Sequence, residues 1–169
     1  MNIQQLFKLG MKRDLPELLT FHGPAFDIGS STDYKVPNTT AIGLPDWEFP
    51  RDPIPAETGS VATIHCYHFL EHLSGTNVIA FLREAERVMI PGRSVLNFCM
   101  PYYNSNQMAE SLDHKSFWCE GTFNNLFTSF GPGSPYGYDL AGKWEMRVHF
   151  IMIAGIVERN LCIIGQLVR

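Results

Sequence analysis

The sequence predicts an α/β fold: an open sheet, parallel at its centre, with an antiparallel hairpin at its C-terminal edge. Three observations predict it. Short apolar runs bounded by turn residues recur through the first half of the chain. Val78, Phe81, Leu82, Ala85 and Val88 recur at helical spacing, with Arg83, Glu84, Glu86 and Arg87 mostly on the other side. The chain closes on "KWEMRVHFIMIAGI" and "ERNLCIIGQLVR", two long strand-like runs joined through Val157 to Asn160.

Residues 2 to 20 carry Leu6, Leu9, Leu15, Leu18 and Leu19 as a helical stripe, with a break at Asp14 to Pro16. Gly23-Pro24 is a turn signal, and Ala25 to Ile28 reads as the first strand. That strand stops at Gly29-Ser30-Ser31, a candidate ligand loop because backbone can approach a ligand closely there. Residues 39 to 44 give a second short strand. Helices after these first two strands are reduced. A proline-rich loop follows, in which Trp47 to Phe49 is a candidate short strand. Residues 60 to 70 read as the next strand. Ser74 to Asn77 caps the helix, and Pro91-Gly92 stops it. Residues 94 to 103 form a strand, 116 to 127 a short helix and 131 to 139 a loop.

Length suits one domain over 1–169, with an N-terminal helical segment over 1–22 and the core over 24–169. Hydrophobic residues make up 45% and charged residues 18%, enough for a core and too apolar for a disordered chain. The net charge of -4 advertises no phosphate-binding face, so no nucleic-acid partner is expected. No run approaches the roughly 20 apolar residues of a membrane span, and no secretory h-region is visible. Cys66, Cys99, Cys119 and Cys162 show no CxxC pairing. They read as reduced thiols of a cytoplasmic protein.

The stretch "TIHCYHFLEH", Thr63 to His72, concentrates three histidines and a cysteine. On a strand, His65 and Tyr67 face one way and Cys66 and His68 the other. Such neighbours cannot converge on one ion, and His68 and His72 could do so at i, i+4 only if the chain is already helical there, so no metal site is expected from the stretch itself. His65 reads as a core or second-layer histidine.

Several segments fall into order together: "FDIGSS" ending a strand, "FLEHL" after a central strand, "FLREAERVMIPGRSVLNFCMP" as helix, turn and strand, and "DHKSFWCEGTFNNLF" beyond it. Across residues 24 to 169 this set resembles the class I S-adenosylmethionine-dependent methyltransferases, in the compact branch with "LEH" and "RVLKPGG"-like motifs. The resemblance implies a Rossmann-like fold, S-adenosylmethionine as cofactor and methyl transfer to an acceptor. A small molecule or a saccharide hydroxyl is the expected acceptor.

It places the cofactor against Asp27, Gly29, Ser30 and Ser31, with Tyr67 and His68 at the neighbouring strand tip. The sequence departs from the family in having one glycine in the first motif and no acid at Leu44. Asp46 and Trp47 are the candidates for ribose and adenine; Trp47 alternatively caps the core. His72 and His114 are the candidate catalytic bases, since an unperturbed histidine titrates near about 6.5. His114 alternatively sits at a helix cap. The degenerate first motif keeps two other readings in view: a non-catalytic binding or assembly module of the same fold, and a non-methylating enzyme acting on the same cofactor. The apolar C-terminal hairpin is either a buried sheet edge or a homo-oligomer surface.

Overall fold

The computed structural model describes residues 18–30, 35–127, 138, 140, 142–153 and 161–169, with 147–153 described by backbone alone. The helix expected over 2–20 lies outside these residues except for 18–20, which are not helical. Ser31, the loop over 131–137 and the turn at 157–160 also lie outside the described residues.

Six strands form one sheet: β1 (Ala25–Ile28), β2 (Thr40–Ile42), β3 (Thr63–Tyr67), β4 (Val95–Pro101), β5 (Glu145–Ile153) and β6 (Leu161–Val168). Their order is β2-β1-β3-β4-β6-β5. The strands β2, β1, β3 and β4 pair in parallel. β6 runs antiparallel to both β4 and β5, so the expected C-terminal hairpin enters the sheet with its second strand innermost. The α/β open sheet read from the sequence is thus the observed one. Trp47 to Phe49, a candidate strand, instead lies in turns, where Trp47 N–H donates to Gly43 O at 3.0 Å.

Helix α1 (Gly75–Val88) begins where expected, with Ser74 Oγ accepting from Asn77 N–H. It ends before Gly92, whose φ of 70° makes the turn into β4. Its apolar stripe packs on one face of the sheet, in a core with Phe26, Ile28, Ile64, Leu96, Phe98, Ile163 and Leu167. Two further helices follow: α2 (Asn106–Glu110), capped by Ser105, and α3 (Glu120–Phe127). Helix α2 is only five residues long. One turn of helix leaves no periodicity to read, so the sequence did not announce it.

The proline-rich loop is clipped to α1 by ionic hydrogen bonds. Arg87 donates to both Glu84 oxygens, at 2.6 and 2.8 Å, and to the carbonyls of Ile54 and Ala56. Glu84 in turn accepts from Ile54 N–H at 2.9 Å. The bond from Arg87 holds the Glu84 carboxyl below its ordinary range.

The opposite face of the sheet is polar along a single row. Asp27, His65, Asn97 and Gln166 stand beside one another on β1, β3, β4 and β6 by strand register. Gln166 Nε2 donates to Asn97 Oδ1 at 2.8 Å and to Leu19 O at 3.0 Å, while its Oε1 accepts from Leu19 N–H at 3.1 Å. Asn97 Oδ1 is therefore an acceptor, and its Nδ2 faces His65 Nδ1 at 3.5 Å. Tyr67 O–H reaches the same nitrogen at 3.0 Å. Nδ1 thus faces donors and is the unprotonated nitrogen of a neutral ring. Burial of that ring pushes His65 down to about 4. No helix among the described residues is long and apolar enough to cross a membrane.

Two outcomes test this packing. His65 binds a proton more tightly unfolded than folded, so its contribution is complete above about 6.5 and is lost as pH falls towards about 4. Urea unfolding across that window should show a loss on the order of 3 kcal/mol that His65→Gln removes, and parallel pH profiles of the two proteins would refute it. Phe81 is fully buried against Phe49 and Phe69, so Phe81→Ala should cost about 3–5 kcal/mol in the same assay.

Candidate functional site

In an open parallel sheet, ligands bind past the carboxyl ends of the strands where the strand order reverses. Here the chain moves from β1 outward to β2 and then returns to β3 on the other side of β1. The switch point therefore lies between the exits of β1 and β3, at Gly29 and His68.

Gly29 takes a left-handed φ of 76°, and its N–H donates to Ile42 O at 2.8 Å. A side chain there would also strike Phe69, whose ring carbon stands 2.8 Å from the place of a Cβ. Gly43 is constrained by contact alone, since a Cβ would lie 2.9 Å from Ser30 O. The two loops thus touch backbone to backbone. Ser30 Oγ donates to Asp27 O at 3.1 Å, which tightens the turn.

The predicted cofactor residues divide into two groups. Gly29 and Ser30 form the turn at the switch point, and Asp46 stands exposed on the loop after β2. Tyr67 and His68 end β3 and open the next loop, with the Tyr67 hydroxyl held 3.0 Å from His65 Nδ1 and His68 Nδ1 held 3.1 Å from Glu71. Asp27 and Trp47 are already committed. The Asp27 carboxylate is buried and accepts from Val36 N–H at 2.6 Å, fixing the return of the chain to β2. Burial raises its carboxyl above the ordinary range, against that hydrogen bond. Trp47 is buried between Phe49 and Phe69, and its indole N–H donates to Pro53 O at 2.9 Å. The core-capping alternative describes its place.

Beyond β3, a 3-10 turn at Leu70–His72 carries the "LEH" motif. The segment after α2 is stitched to it. Glu71 O accepts from Lys115 N–H at 2.7 Å and Ser116 N–H at 3.1 Å, and Ser116 Oγ donates to Leu70 O at 2.8 Å. Trp118 indole N–H donates to Ser116 Oγ, extending the seam into the core. This seam brings together the two histidines chosen from the sequence: the His72 and His114 rings meet edge to face with centroids 4.9 Å apart.

Glu71 lies beneath them with no exposed surface. One carboxylate oxygen meets His68 Nδ1 at 3.1 Å; the other, Oε2, is buried without a hydrogen-bond partner. The bond from Glu71 raises the His68 imidazolium above its ordinary range. His114 Nδ1 lies 3.0 Å from Met108 O, which can only accept. In the neutral ring Nδ1 therefore carries the proton and Nε2 the lone pair. Ligand atoms of Glu71, His72 and His114 all lie within 4.8 Å of one another.

His114 also lines a depression of about 510 Å³ with Tyr103, Asn104, Leu112 and Phe117. Leu112, Phe117 and Tyr103 are the large apolar side chains that stay exposed there. Tyr102 faces away from it, donating its hydroxyl to Glu120 at 2.8 Å, a bond that pushes the phenol up to about 12.

A second cluster adjoins on the polar face of the sheet. The ligand atoms of His68, Cys99 and Cys162 lie within 4.8 Å of one another. Sequence reasoning missed it because the two thiols are far apart along the chain and meet only through the β4–β6 register, where Cys99 pairs with Ile164 and Pro101 with Cys162. The proximity of the two thiols holds Cys99 above and Cys162 below the ordinary thiol range. Glu71 likewise carries no role in the sequence reading. In comparisons with known proteins, no family model matches the chain and no curated protein matches it.

Proposed function

We propose that the chain transfers a methyl group from S-adenosylmethionine to a hydroxyl of a small molecule or saccharide, in the cytoplasm. The observation that carries this reading is the His72–His114 pair over the unpartnered Glu71 carboxylate, at the carboxyl end of a parallel sheet. The donor set fits the cofactor in part. Gly29 and Ser30 turn at the switch point, and Asp46 is a free-standing exposed carboxylate for a ribose diol. Asp27 would shape that turn rather than touch the ligand, because Val36 holds its carboxylate. When bound, the cofactor supplies an activated methyl on a sulfonium, a reaction in which the protein chiefly positions the acceptor.

The remaining chemistry belongs to this chain. His114 Nε2 offers a lone pair, fixed by the Met108 carbonyl on the other side of the ring. It takes the proton of the acceptor hydroxyl as that oxygen attacks. A carboxylate oxygen of buried Glu71 lies within 4.8 Å of a ligand nitrogen of each histidine, an acceptor beside the ring that takes the proton. Tyr103, Leu112 and Phe117 give the acceptor's apolar face a surface in the adjoining depression. The net charge of -4 supports a small acceptor over nucleic acid.

A second reading is favoured by Phe69. Its ring packs on Gly29, where a ligand would otherwise approach, and this suits a non-catalytic module of the same fold. Calorimetric titration with S-adenosylmethionine and S-adenosylhomocysteine separates the two. The methyltransferase reading expects micromolar binding, weakened several-fold or more by Asp46→Ala. No heat at millimolar ligand, for the parent protein and for Phe69→Ala alike, would end it in favour of the module. With an acceptor in hand, His114→Ala should lower kcat by about 10²–10⁴ while leaving cofactor affinity unchanged.

A further inference from the structure

We infer that His68, Cys99 and Cys162 form a binding site for one zinc-class divalent ion, with Glu71 as the carboxylate that orients His68. The inference does not require the methyl-transfer reading: it shares Glu71 with it, but its ligands are His68 and the two thiols, not His72 or His114.

The ligands come from three elements: the exit of β3, the body of β4 and the start of β6. Cys99 and Cys162 are diagonal neighbours on one face of the antiparallel β4–β6 pair. His68 is brought over them by its own backbone: a φ of 53° turns the chain as β3 ends, and His68 N–H still donates to Cys99 O at 2.8 Å. Its Nε2 then stands 3.8 Å from Cys99 Sγ. A tetrahedral ion with bonds of about 2.3 Å to sulfur and about 2.0 Å to nitrogen sets such atoms roughly 3.5 Å apart. The pair is therefore spaced to share an ion after a small inward movement.

The second observation is Glu71. Zinc-bound histidines almost always pass their other ring nitrogen to a carboxylate or carbonyl, which fixes the tautomer and leaves the ligating nitrogen basic. His68 Nδ1 meets the fully buried Glu71 at 3.1 Å, so Nε2 is the nitrogen turned to the thiols. The remaining Glu71 oxygen is buried with no hydrogen-bond partner. Two thiolates and a neutral imidazole select a soft or borderline ion over magnesium or calcium, and with a divalent ion they sum to zero charge. Cys162 Sγ donates to Gln107 Oε1 at 3.1 Å without the ion. Binding replaces the thiol protons with metal–sulfur bonds and releases those protons to solvent, so affinity should rise with pH. The His68 side chain is 46% exposed, which gives an ion a path to the cluster.

The test uses the full chain, reduced and stripped with chelator, titrated with cobalt(II) and then zinc(II). The expected result is one equivalent of cobalt, a sulfur-to-cobalt charge-transfer band, d–d bands of four-coordinate intensity, and displacement by zinc. Cys99→Ser and Cys162→Ser should each diminish the charge-transfer band, and the double variant should abolish it. His68→Asn is the variant that protects the fold, because asparagine tolerates the left-handed backbone. It should weaken zinc by more than the roughly 10–100-fold expected of Glu71→Gln. Cys119→Ser, outside the cluster, should change nothing. Absence of the band, its survival in the double variant, or its loss in Cys119→Ser overturns the site. A protein that forms a Cys99–Cys162 disulfide in air but takes up no cobalt when reduced is a redox pair instead.

Discussion

The candidate sites depend on one short seam. Glu71 O accepts two backbone N–H groups from Lys115 and Ser116, and Leu70 O accepts the Ser116 hydroxyl. Those bonds satisfy the Glu71 carbonyl at the end of a one-turn 3-10 helix, and add a hydroxyl donor to Leu70 O, which already accepts from Leu73 N–H. They also join the exit of β3 to a segment more than forty residues later. Without them His114 would have no fixed relation to His72, and the Glu71 carboxylate would be free to reach water. With them, a carboxylate with no exposed surface sits between two groups of histidines. A buried and half-satisfied carboxylate is costly, and such costs are kept where something is gained from the charge.

How much of this was legible depends on the range of the interaction involved. Helix α1 was readable because its stripe repeats over fourteen residues and its cap is local. His72 and His114 were readable as a pair because each follows a strand exit. The open sheet places such exits at one end. Asp27 and Trp47 were legible as residue types at suggestive places, but their partners are loop backbones whose course no local pattern encodes. The thiol pair was least legible of all. Cys99 and Cys162 meet through β6 register, and only the order β4-β6-β5 makes that register apparent.

The two faces of the sheet divide the work. One carries Phe26, Ile28, Ile64, Leu96 and Phe98 against α1 and α3 and supplies most of the apolar burial. The other carries hydrogen-bonding groups from Asp27 across to Gln166, and farther along the strands Tyr67, Cys99 and Cys162. Chemistry then gathers where the polar face meets the carboxyl ends of the strands. Its side chains already stand there, and the loops add Glu71, His72 and His114.

The row Asp27–His65–Asn97–Gln166 has a consequence for assembly. A strand's side chains alternate faces, so sliding any of these four strands by one residue would drive its polar group into the Phe98 layer and expel an apolar one. Each such slip would strand amide or carboxylate groups in a dry interior, a penalty of a few kcal/mol apiece. The row therefore works as an alignment key. A misaligned register is thereby disfavoured strand by strand.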